Sequence, residues 1–163
     1  MNEAAIKASW WQRWVQQPIR EQLMQGTSPS KIAQAIAFGI TLSTFPIMGS
    51  ITLLTLLVGI PLKLNQPILQ LFKTLAYPLH LSLILLFLRM GEWLFGRPHL
   101  PLTIPYLWDR FVQNPAQFGA EFGGLALRGA GAWLLVAPWL LAAIYYAVRP
   151  LLERFAHRHH HAR

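Results

Sequence analysis

The chain has 163 residues and a mass of 18.5 kDa; 54% of its residues are hydrophobic and only 12% are charged. Soluble domains carry about 25% charged residues, so this composition argues against a soluble globular protein, and the high hydrophobicity excludes extended disorder. The absence of cysteine excludes disulfides, thiolate metal sites and cysteine nucleophiles. The length predicts a single domain.

The formal net charge of +8, from 14 Lys and Arg against 6 Asp and Glu, would indicate a nucleic acid partner in a soluble protein. Here the basic residues instead flank the apolar segments at both ends: Lys7, Arg13, Arg20 and Lys31 come first, and Arg149, Arg154, Arg158 and Arg163 come last. Basic flanks stay on the cytoplasmic side of a membrane and attract anionic lipid. We therefore predict cytoplasmic termini, an even number of full crossings and no nucleic acid partner.

Residues 1–25 are predicted to form an amphipathic helix that lies in the membrane interface. Tryptophans and a valine recur there at helical spacing between basic residues: Trp10, Trp11, Trp14 and Val15. Indole rings favour the headgroup level, although the same residues could pack on the protein's own membrane helices. Polar residues throughout the stretch argue against a cleavable signal peptide, and Pro18 is predicted to break or kink the helix.

The longest stretch without charge in the first half of the chain runs from Ile32 to Leu62. One straight helix of this length would extend roughly 46 Å, beyond a hydrocarbon core of about 30 Å, and two full crossings would need more residues. A break is predicted where three residues that interrupt or start helices occur together: Pro46, Gly49 and Ser50. We predict a pair of short helices, either a re-entrant hairpin or two short crossings, at residues 32–45 and 50–62.

The first helix of this pair has predicted cap chemistry, with Ser28 as the cap residue and Pro29 in the first turn. Its small residues recur every four positions: Ala35, Gly39 and Ser43. Such a stripe lets another helix approach closely, and in a homo-oligomer that encloses a path it is the predicted contact between copies. Non-helical backbone at membrane depth needs partners from protein or a wet cavity, so the break must be covered.

The third apolar segment runs from Asn65, its predicted cap residue, to about Phe95, with Pro67 in its first turn. Its polar residues follow steps of four and three, which place them on one face of a helix. This polar stripe consists of Gln66, Gln70, Lys73, Tyr77 and His80. It is predicted to line protein or water rather than lipid, and Pro78 is expected to kink the helix beside it.

Lys73 and His80 are ionisable groups inside an apolar segment, where such groups indicate function by default. The alternative for Lys73 is that its side chain snorkels to the interface, with Gln66 and Gln70 beside it. His80 lies deeper in the segment and directly follows Pro78-Leu79. These two residues are therefore candidates for a site inside the membrane.

Beyond the third segment the chain changes character. Three prolines predict a loop from Gly96 to Pro105, and aromatic and charged residues predict a second amphipathic stretch from Tyr106 to Phe122, interrupted at Pro115. The twenty residues Gly129–Val148 carry no charge and match the length of a membrane crossing, about 20 residues. The tail, 149–163, is basic. Its histidine-rich end, His157 to Arg163, is expected to be disordered, and we assign it no metal site.

Several short stretches resemble one bacterial family: Ser28-Pro-Ser-Lys-Ile-Ala-Gln-Ala-Ile-Ala-Phe-Gly39, Phe45-Pro-Ile-Met-Gly49, Leu64-Asn65 and Leu88-Arg-Met-Gly91. They are similar to the domain of unknown function numbered 2062, strongly over 26–96 and more loosely up to Val148. The resemblance implies a small integral protein of the bacterial cytoplasmic (inner) membrane. It also implies a link to envelope polysaccharide or lipid-carrier chemistry, because similar domains are sometimes joined to glycosyltransferase domains. The family usually has asparagine where this chain has Tyr77.

These observations predict an all-α fold: a helical integral membrane protein with a broken or re-entrant helix pair, two further transmembrane helices and interfacial amphipathic helices. The single membrane domain, 1–163, is divided into five predicted segments: the N-terminal interfacial helix (1–25), the family-like core (26–96), the loop and amphipathic stretch (97–128), the transmembrane helix (129–148) and the basic tail (149–163).

We predict no enzyme activity and no cofactor. The sequence has no serine elbow, no His-Glu-x-x-His motif, no phosphate-binding glycine loop and no paired carboxylates at catalytic spacing. The acids between residues 22 and 152 are Glu92, Asp109 and Glu121. They are expected to form surface ion pairs, with Arg89 and Arg97 neutralising Glu92.

The leading hypothesis is that the protein binds or translocates a small or lipid-linked anionic solute, because broken helices in transporters direct exposed N–H groups at anions. The predicted ligand-binding residues are Pro46, Gly49, Ser50, Thr52, Lys73, Tyr77 and His80. The predicted partners are membrane lipids, a lipid-linked or phosphate-bearing ligand and a second copy of the chain. The alternative is a non-catalytic scaffold or anchor for an envelope-polysaccharide or glycosyltransferase partner, against which the polar stripe would be buried.

Overall fold

The computed structural model describes residues 12–47 and 49–160, which are mostly helical and contain no strand. The helices are a π-helical segment at Gln12–Gln16, α1 at Gln17–Met24, α2 at Pro29–Ser43, α3 at Ile51–Gly59, α4 at Gln66–Leu94, α5 at Ile104–Gln113 and α6 at Pro115–His160. The predicted all-α class is confirmed over these ranges. Trp10 and Trp11 of the predicted interfacial helix lie outside the described residues.

At Pro18, where a break or kink is predicted, the helical stretch of residues 12–24 continues without a gap and only its helix type changes. The chain is π-helical up to Gln16 and α-helical from the next residue, so Pro18 falls in the first turn of α1. Val15 is only 3% exposed, which for this residue favours packing on the protein's own helices. The side-chain amide of Asn65 donates to the Oε1 of Gln22 at 2.5 Å and ties α1 to the start of α4.

Helices α2, α4 and α6 pack together as a three-helix bundle in which α6 runs antiparallel to α2. At one end, the hydroxyls of Ser30 in α2 and Tyr145 in α6 share a hydrogen bond of 2.9 Å. At the other end, the indole Nε1 of Trp133 in α6 donates to the Oγ1 of Thr44, just after α2, at 2.9 Å. The order of these contacts along the two helices establishes their opposite directions.

Two glycines let the bundle helices approach each other closely. A Cβ atom on Gly39 of α2 would lie 2.7 Å from the carbonyl oxygen of Leu69 in α4. A Cβ atom on Gly91 of α4 would lie 2.7 Å from the carbonyl oxygen of Arg128 in α6. Because both distances are too short for a non-bonded contact, a side chain at either position would push two helix backbones apart.

The small-residue stripe of α2 is used for packing within one chain. Ala35 and Ser43 are completely buried, and the backbone of Gly39 contacts α4. The predicted close approach of another helix is confirmed. The same surface is closed by the bundle and is therefore not available as the predicted contact between copies, so an oligomer would need a different surface.

The starts of α2 and α4 follow the cap predictions. The N–H of Lys31 donates to the Oγ of Ser28 at 3.4 Å, and the N–H of Ile68 donates to the Oδ1 of Asn65 at 3.2 Å. A proline lies in the first turn of each helix. Each cap pairs an N–H group that has no partner within its own helix, so both predicted starts are confirmed.

The predicted break between two short helices is also observed. Helix α2 begins three residues before its predicted start and ends two residues before its predicted end, and α3, from Ile51 to Gly59, is shorter than predicted. After a turn, Leu64 packs in the same apolar cluster as Ile32 near the start of α2. The pair α2–α3 therefore leaves one end of the bundle and returns to it.

Helix α4 bends part-way along its length. Its two parts, Gln66–His80 and Ser82–Leu94, meet at 68°. Pro78 lies inside the helix just before the bend. Proline has no backbone N–H and its ring displaces the preceding turn, which accounts for a kink at this place.

Helix α6 is longer than predicted at both ends. It has 46 residues, or about 69 Å at the rise of an α-helix, and no boundary occurs between residues 128 and 129. Pro115 does separate α5 from α6, as predicted. The expectation of a disordered end is wrong for residues 157–160, where the helix continues; residues 161–163 lie outside the described part of the chain. Leu152 packs in the cluster that contains the start of α2, and this contact holds the end of α6 on the bundle.

One helix within residues 12–47 and 49–160 is long and apolar enough to cross a membrane, the stretch Pro115–Arg154 of α6. Only 17% of its most apolar window is buried inside the protein. The bent α4 passes the same test when its two parts are taken as one span. The described residues therefore contain one helix, or two if the bent α4 counts as one span, with the length and composition of a membrane crossing.

Candidate functional site

The end of α2 is closed by hydroxyl groups and by one indole. The Oγ of Ser43 donates to the carbonyl of Ile40 at 2.6 Å, and the Oγ1 of Thr44 donates to the carbonyl of Thr41 at 2.7 Å. The same Thr44 oxygen accepts from the Nε1 of Trp133. The last carbonyls of a helix lack intrahelical partners. Here two of them accept hydrogen bonds from side-chain hydroxyls, and α6, not the polar stripe of α4, supplies the indole that contacts this end.

Trp133 also packs against the chain that follows α2. Its ring meets the ring of Phe45 edge to face, with centroids 5.0 Å apart, and Pro46 beside it is buried. The sequence reasoning did not single out Trp133. The sequence feature that could have indicated this role is the position of Trp133 within the predicted crossing Gly129–Val148. The N–H of a buried indole needs a hydrogen-bond acceptor, and inside a helix that acceptor has to come from another element.

The start of α3 differs from its prediction at Ser50. Gly49 turns the chain with a φ of 82°, in the region that favours glycine. Ser50 occupies the cap position, but its hydroxyl donates to the carbonyl of Ile47 at 2.7 Å and makes no hydrogen bond to the helix. The predicted serine cap is therefore wrong, and the N–H groups of the first turn of α3 have no side-chain cap.

Helix α3 packs along the first part of the polar stripe. The Nζ of Lys73 donates to the Oγ1 of Thr52 at 3.4 Å, near the start of α3. At the other end of α3, a Cβ on Gly59 would lie 2.7 Å from the side-chain nitrogen of Gln66. The side-chain amide atoms of Gln66 are buried and have no hydrogen-bond partner in the described part of the chain. This part of the stripe lines protein, as predicted.

The second part of the polar stripe consists of Tyr77 and His80. Their rings stack with centroids 5.7 Å apart and an interplanar angle of 27°. His80 is 1% exposed, and among the residues described its Nδ1 has no hydrogen-bond partner. Tyr77 is 51% exposed, so the pair joins a buried ring to the surface of α4.

The seven predicted ligand-binding residues thus form three small groups. Thr52 contacts Lys73, Tyr77 contacts His80, and the remaining three lie in or beside the break: Pro46, Gly49 and Ser50. A cavity of about 350 Å³ lies between α2 and α6, and one of about 30 Å³ lies beside α5. None of the seven lines either cavity, so their role in binding stays a prediction.

A buried ionic cluster lies at the end of α4. Glu92 is completely buried and accepts hydrogen bonds from the Nη1 of Arg89 at 2.8 Å, the Nδ1 of His99 at 2.8 Å and the N–H of Leu100 at 2.9 Å. The expected pairing with Arg89 is confirmed. The expected surface location is wrong, and His99 takes the place given to Arg97, because the loop after α4 folds back over the carboxylate.

Large apolar side chains cover much of the outer surface of α3 to α6. Examples at 63% to 82% exposure are Leu57 of α3, Trp93 of α4, Ile104 of α5 and Trp139 of α6. Helix α5 has no buried residue, and its Trp108 and Phe111 begin a chain of aromatic contacts that continues to Phe118 and Phe122 of α6. The interior, by contrast, contains polar Thr55, His80 and Glu92.

A family model described as "Uncharacterized protein conserved in bacteria (DUF2062)" matches residues 11–161. The chain belongs to this family. No curated protein and no solved structure matches it. The match covers the whole bundle, including α6, which extends the resemblance read from the sequence beyond 26–96. The description of the family carries no activity, so function has to be argued from the geometry.

Proposed function

We propose that the protein is an integral protein of the bacterial cytoplasmic membrane that binds an anionic solute where α3 begins. Two observations support the membrane placement. Apolar side chains are exposed over α3 to α6 on a scale that water disfavours. Helix α6 contains the charge-free stretch Gly129–Val148, whose length suits a crossing.

In this arrangement α2 and α3 form a re-entrant hairpin. Helix α2 has 15 residues, or about 22 Å, which is short of a hydrocarbon core of about 30 Å. Ser30 contacts Tyr145 and Thr44 contacts Trp133. Tyr145 and Trp133 lie about 18 Å apart along α6. The tip of the hairpin thus lies inside the membrane, and α4 and α6 are the two crossings.

The cytoplasmic side is assigned from basic residues. Lys31 lies at the start of the hairpin, Lys63 follows its end and Arg149 lies one turn beyond Tyr145 in α6. These three cations mark the same end of the bundle, and basic residues stay on the cytoplasmic side. Two crossings and one returning hairpin then leave both termini in the cytoplasm.

The hairpin can be tested with single cysteines, because the chain has none. Ile47→Cys at the tip is expected to react with a membrane-impermeant maleimide only from the cytoplasmic side, as Lys63→Cys should. Gln113→Cys, at the end of α5, should react only from outside. Labelling of Ile47→Cys from outside alone would indicate two short crossings, and release of the protein by alkaline carbonate would contradict the membrane placement.

The binding proposal depends above all on the contact between Lys73 and the first turn of α3. The ammonium group lies 3.4 Å from the hydroxyl of Thr52, in a turn whose N–H groups have no side-chain cap. Free N–H groups at a helix start and a nearby cation attract an anion together. Tyr77 and His80, one and two turns further along α4, continue the polar side from this point.

A thermal-shift measurement with inorganic phosphate tests this site. Phosphate at ten times its Kd should stabilise the folded protein by about 1.4 kcal/mol, and Lys73→Leu and His80→Leu should reduce that stabilisation. Lys63→Asn, which removes a cation from the exposed turn after α3, is the matched control. If folded Lys73→Leu and His80→Leu proteins respond to phosphate as the wild type does, the binding proposal fails.

The second candidate, a scaffold for a glycosyltransferase or another envelope enzyme, is favoured by the half-exposed surface of Tyr77. A protein partner would cover that ring. A pull-down after gentle solubilisation separates the two candidates. A stoichiometric protein partner lost in Tyr77→Ala supports the scaffold, whereas co-purifying lipid phosphate supports solute binding.

A further inference from the structure

A groove of about 350 Å³ lies between α2 and α6 and is unrelated to the polar stripe. Its lining is mainly apolar and includes Ala37 of α2 and Pro138 and Ala142 of α6. Small side chains and proline leave room between the helices there. A cavity of this size lies within the range that small ligands occupy in proteins, about 300–1,000 Å³.

The groove has a polar end. Gln34 of α2 and Tyr145 and Tyr146 of α6 line it there. The hydrogen bond between Ser30 and Tyr145 shows that the start of α2 is level with this part of α6. The groove therefore passes from tyrosine hydroxyls and an amide at one end to apolar side chains along the rest.

Two cations lie just beyond the polar end. Lys31 precedes Gln34 by three residues and Arg149 follows Tyr145 by four, so each lies one helical turn outside the groove on the same side of its helix. The helices are antiparallel, so both turns extend toward the same end of the bundle. Lys31 is exposed, and Arg149 uses its Nε for Glu153 at 2.7 Å, which leaves its Nη groups as further donors.

We infer that this groove binds one acyl chain of an anionic phospholipid, with the lipid phosphate beside Lys31 and Arg149. The occupant is identified by the combination of an apolar channel with two cations at its mouth. A second copy of the chain fits less well, because a symmetric pair would bring the same cations together in a protein of net charge +8. The inference depends on the proposed membrane placement and not on the site at Lys73.

Native mass spectrometry from detergent tests the groove with two lipids of matched chains, phosphatidylglycerol and phosphatidylcholine, added in equal amounts. The wild type should retain about one phosphatidylglycerol and lose phosphatidylcholine. The double variant Lys31→Gln/Arg149→Gln should lower phosphatidylglycerol occupancy by about fivefold for each cation removed. Lys63→Asn removes a cation in the turn between α3 and α4, helices that do not line the groove, and should leave occupancy unchanged.

Filling the groove tests the position of the acyl chain. Ala142→Trp should reduce retention of phosphatidylglycerol. Gln34→Trp should do the same from the exposed rim of the groove, at a residue that does not support the core. Circular dichroism and thermal melting establish that each variant is folded. Full retention of phosphatidylglycerol in both folded variants would overturn the inference.

Three other outcomes would also overturn it. The first is equal retention of the two lipids by the wild type. The second is equal loss of phosphatidylglycerol in Lys63→Asn and in the double variant. The third is conversion of a dimer to a monomer by Ala142→Trp with lipid binding unchanged. The last outcome would identify the groove as an interface between copies. Failure of the membrane placement is distinguishable, because the protein would then be released by alkaline carbonate.

Discussion

The helices of the bundle are interrupted near a proline at two places, and the polar side chains at the two places differ in their hydrogen bonding. Near Pro46, between α2 and α3, the hydroxyls of Ser43 and Thr44 and the indole of Trp133 pair with the backbone and with each other, and one buried hydroxyl, that of Thr41, has no partner among the described residues. Near Pro78 in α4, the Nδ1 of buried His80 has no partner in residues 12–47 and 49–160. Most polar side chains at the first interruption are therefore paired within the protein, whereas the buried imidazole at the second has a nitrogen without a partner among those residues, and such a group calls for a ligand, an ion or water.

The largest expected effect is at the paired interruption. Trp133→Ala removes a buried ring that contacts Phe45 and Thr44, and buried Trp→Ala changes cost about 3–5 kcal/mol. Trp133→Phe keeps most of the apolar contact and should cost about 1 kcal/mol for the lost hydrogen bond. Denaturant unfolding in detergent measures both changes. Trp139→Ala, at a 78% exposed position, is the control, and a loss equal to that of Trp133→Ala would contradict the prediction.

The next effect concerns a buried polar cluster that is fully paired. Glu92→Ala leaves the N–H of Leu100 without its acceptor and separates Arg89 from its carboxylate, so a loss of about 1–3 kcal/mol in unfolding free energy is expected. The exposed pair of Arg149 and Glu153 is the comparison. Glu153→Ala should change stability by less than about 0.5 kcal/mol. Similar losses in the two variants would show that burial of Glu92 contributes nothing.

The smallest effect is expected at the unpaired interruption. The Nδ1 of His80 has no hydrogen bond to the described residues that His80→Leu could break, and leucine avoids the cost of burying an unpaired polar atom. This gain offsets the lost stacking on Tyr77, so the change is expected to be nearly neutral. Thr44→Val, the matched change at the paired interruption, should cost about 1–3 kcal/mol because it leaves the N–H of Trp133 unpaired. If both variants lose the same stability, the contrast between the two interruptions disappears.

The features that the sequence predicted well are those determined by neighbouring residues. Ser28 and Asn65 cap helices through N–H groups three residues away, and a break at Pro46 to Ser50 follows from proline and glycine alone. The spacing of Ala35, Gly39 and Ser43 predicted close packing because a helical period places them on one side. In each case the physical cause lies within one or two turns of the residue.

The features that the sequence did not predict depend on distant parts of the chain. Thr44 is 89 residues from Trp133, and nothing near either residue indicates the other. The hydroxyl of Ser50 had two possible partners, the carbonyl of Ile47 and the N–H groups at the start of α3. The backbone geometry of the turn places the hydroxyl on the carbonyl. Arg128 precedes the charge-free run Gly129–Val148, and the sequence predicts a segment boundary there. The helix continues through it because a charged residue does not end a helix.

Helix α6 has a mechanical consequence that follows from its length. The helix has 46 residues, which makes it roughly twice as long as a hydrocarbon core is thick. It contains two prolines, Pro138 and Pro150, each of which removes a backbone hydrogen bond and favours bending at that place. Its Phe118 contacts Phe111 of α5, while Leu152 packs near Ile32. Both prolines lie between these two contacts, so a tilt imposed on α5 would be taken up in part by bending of α6 before it reached the opening of the hairpin.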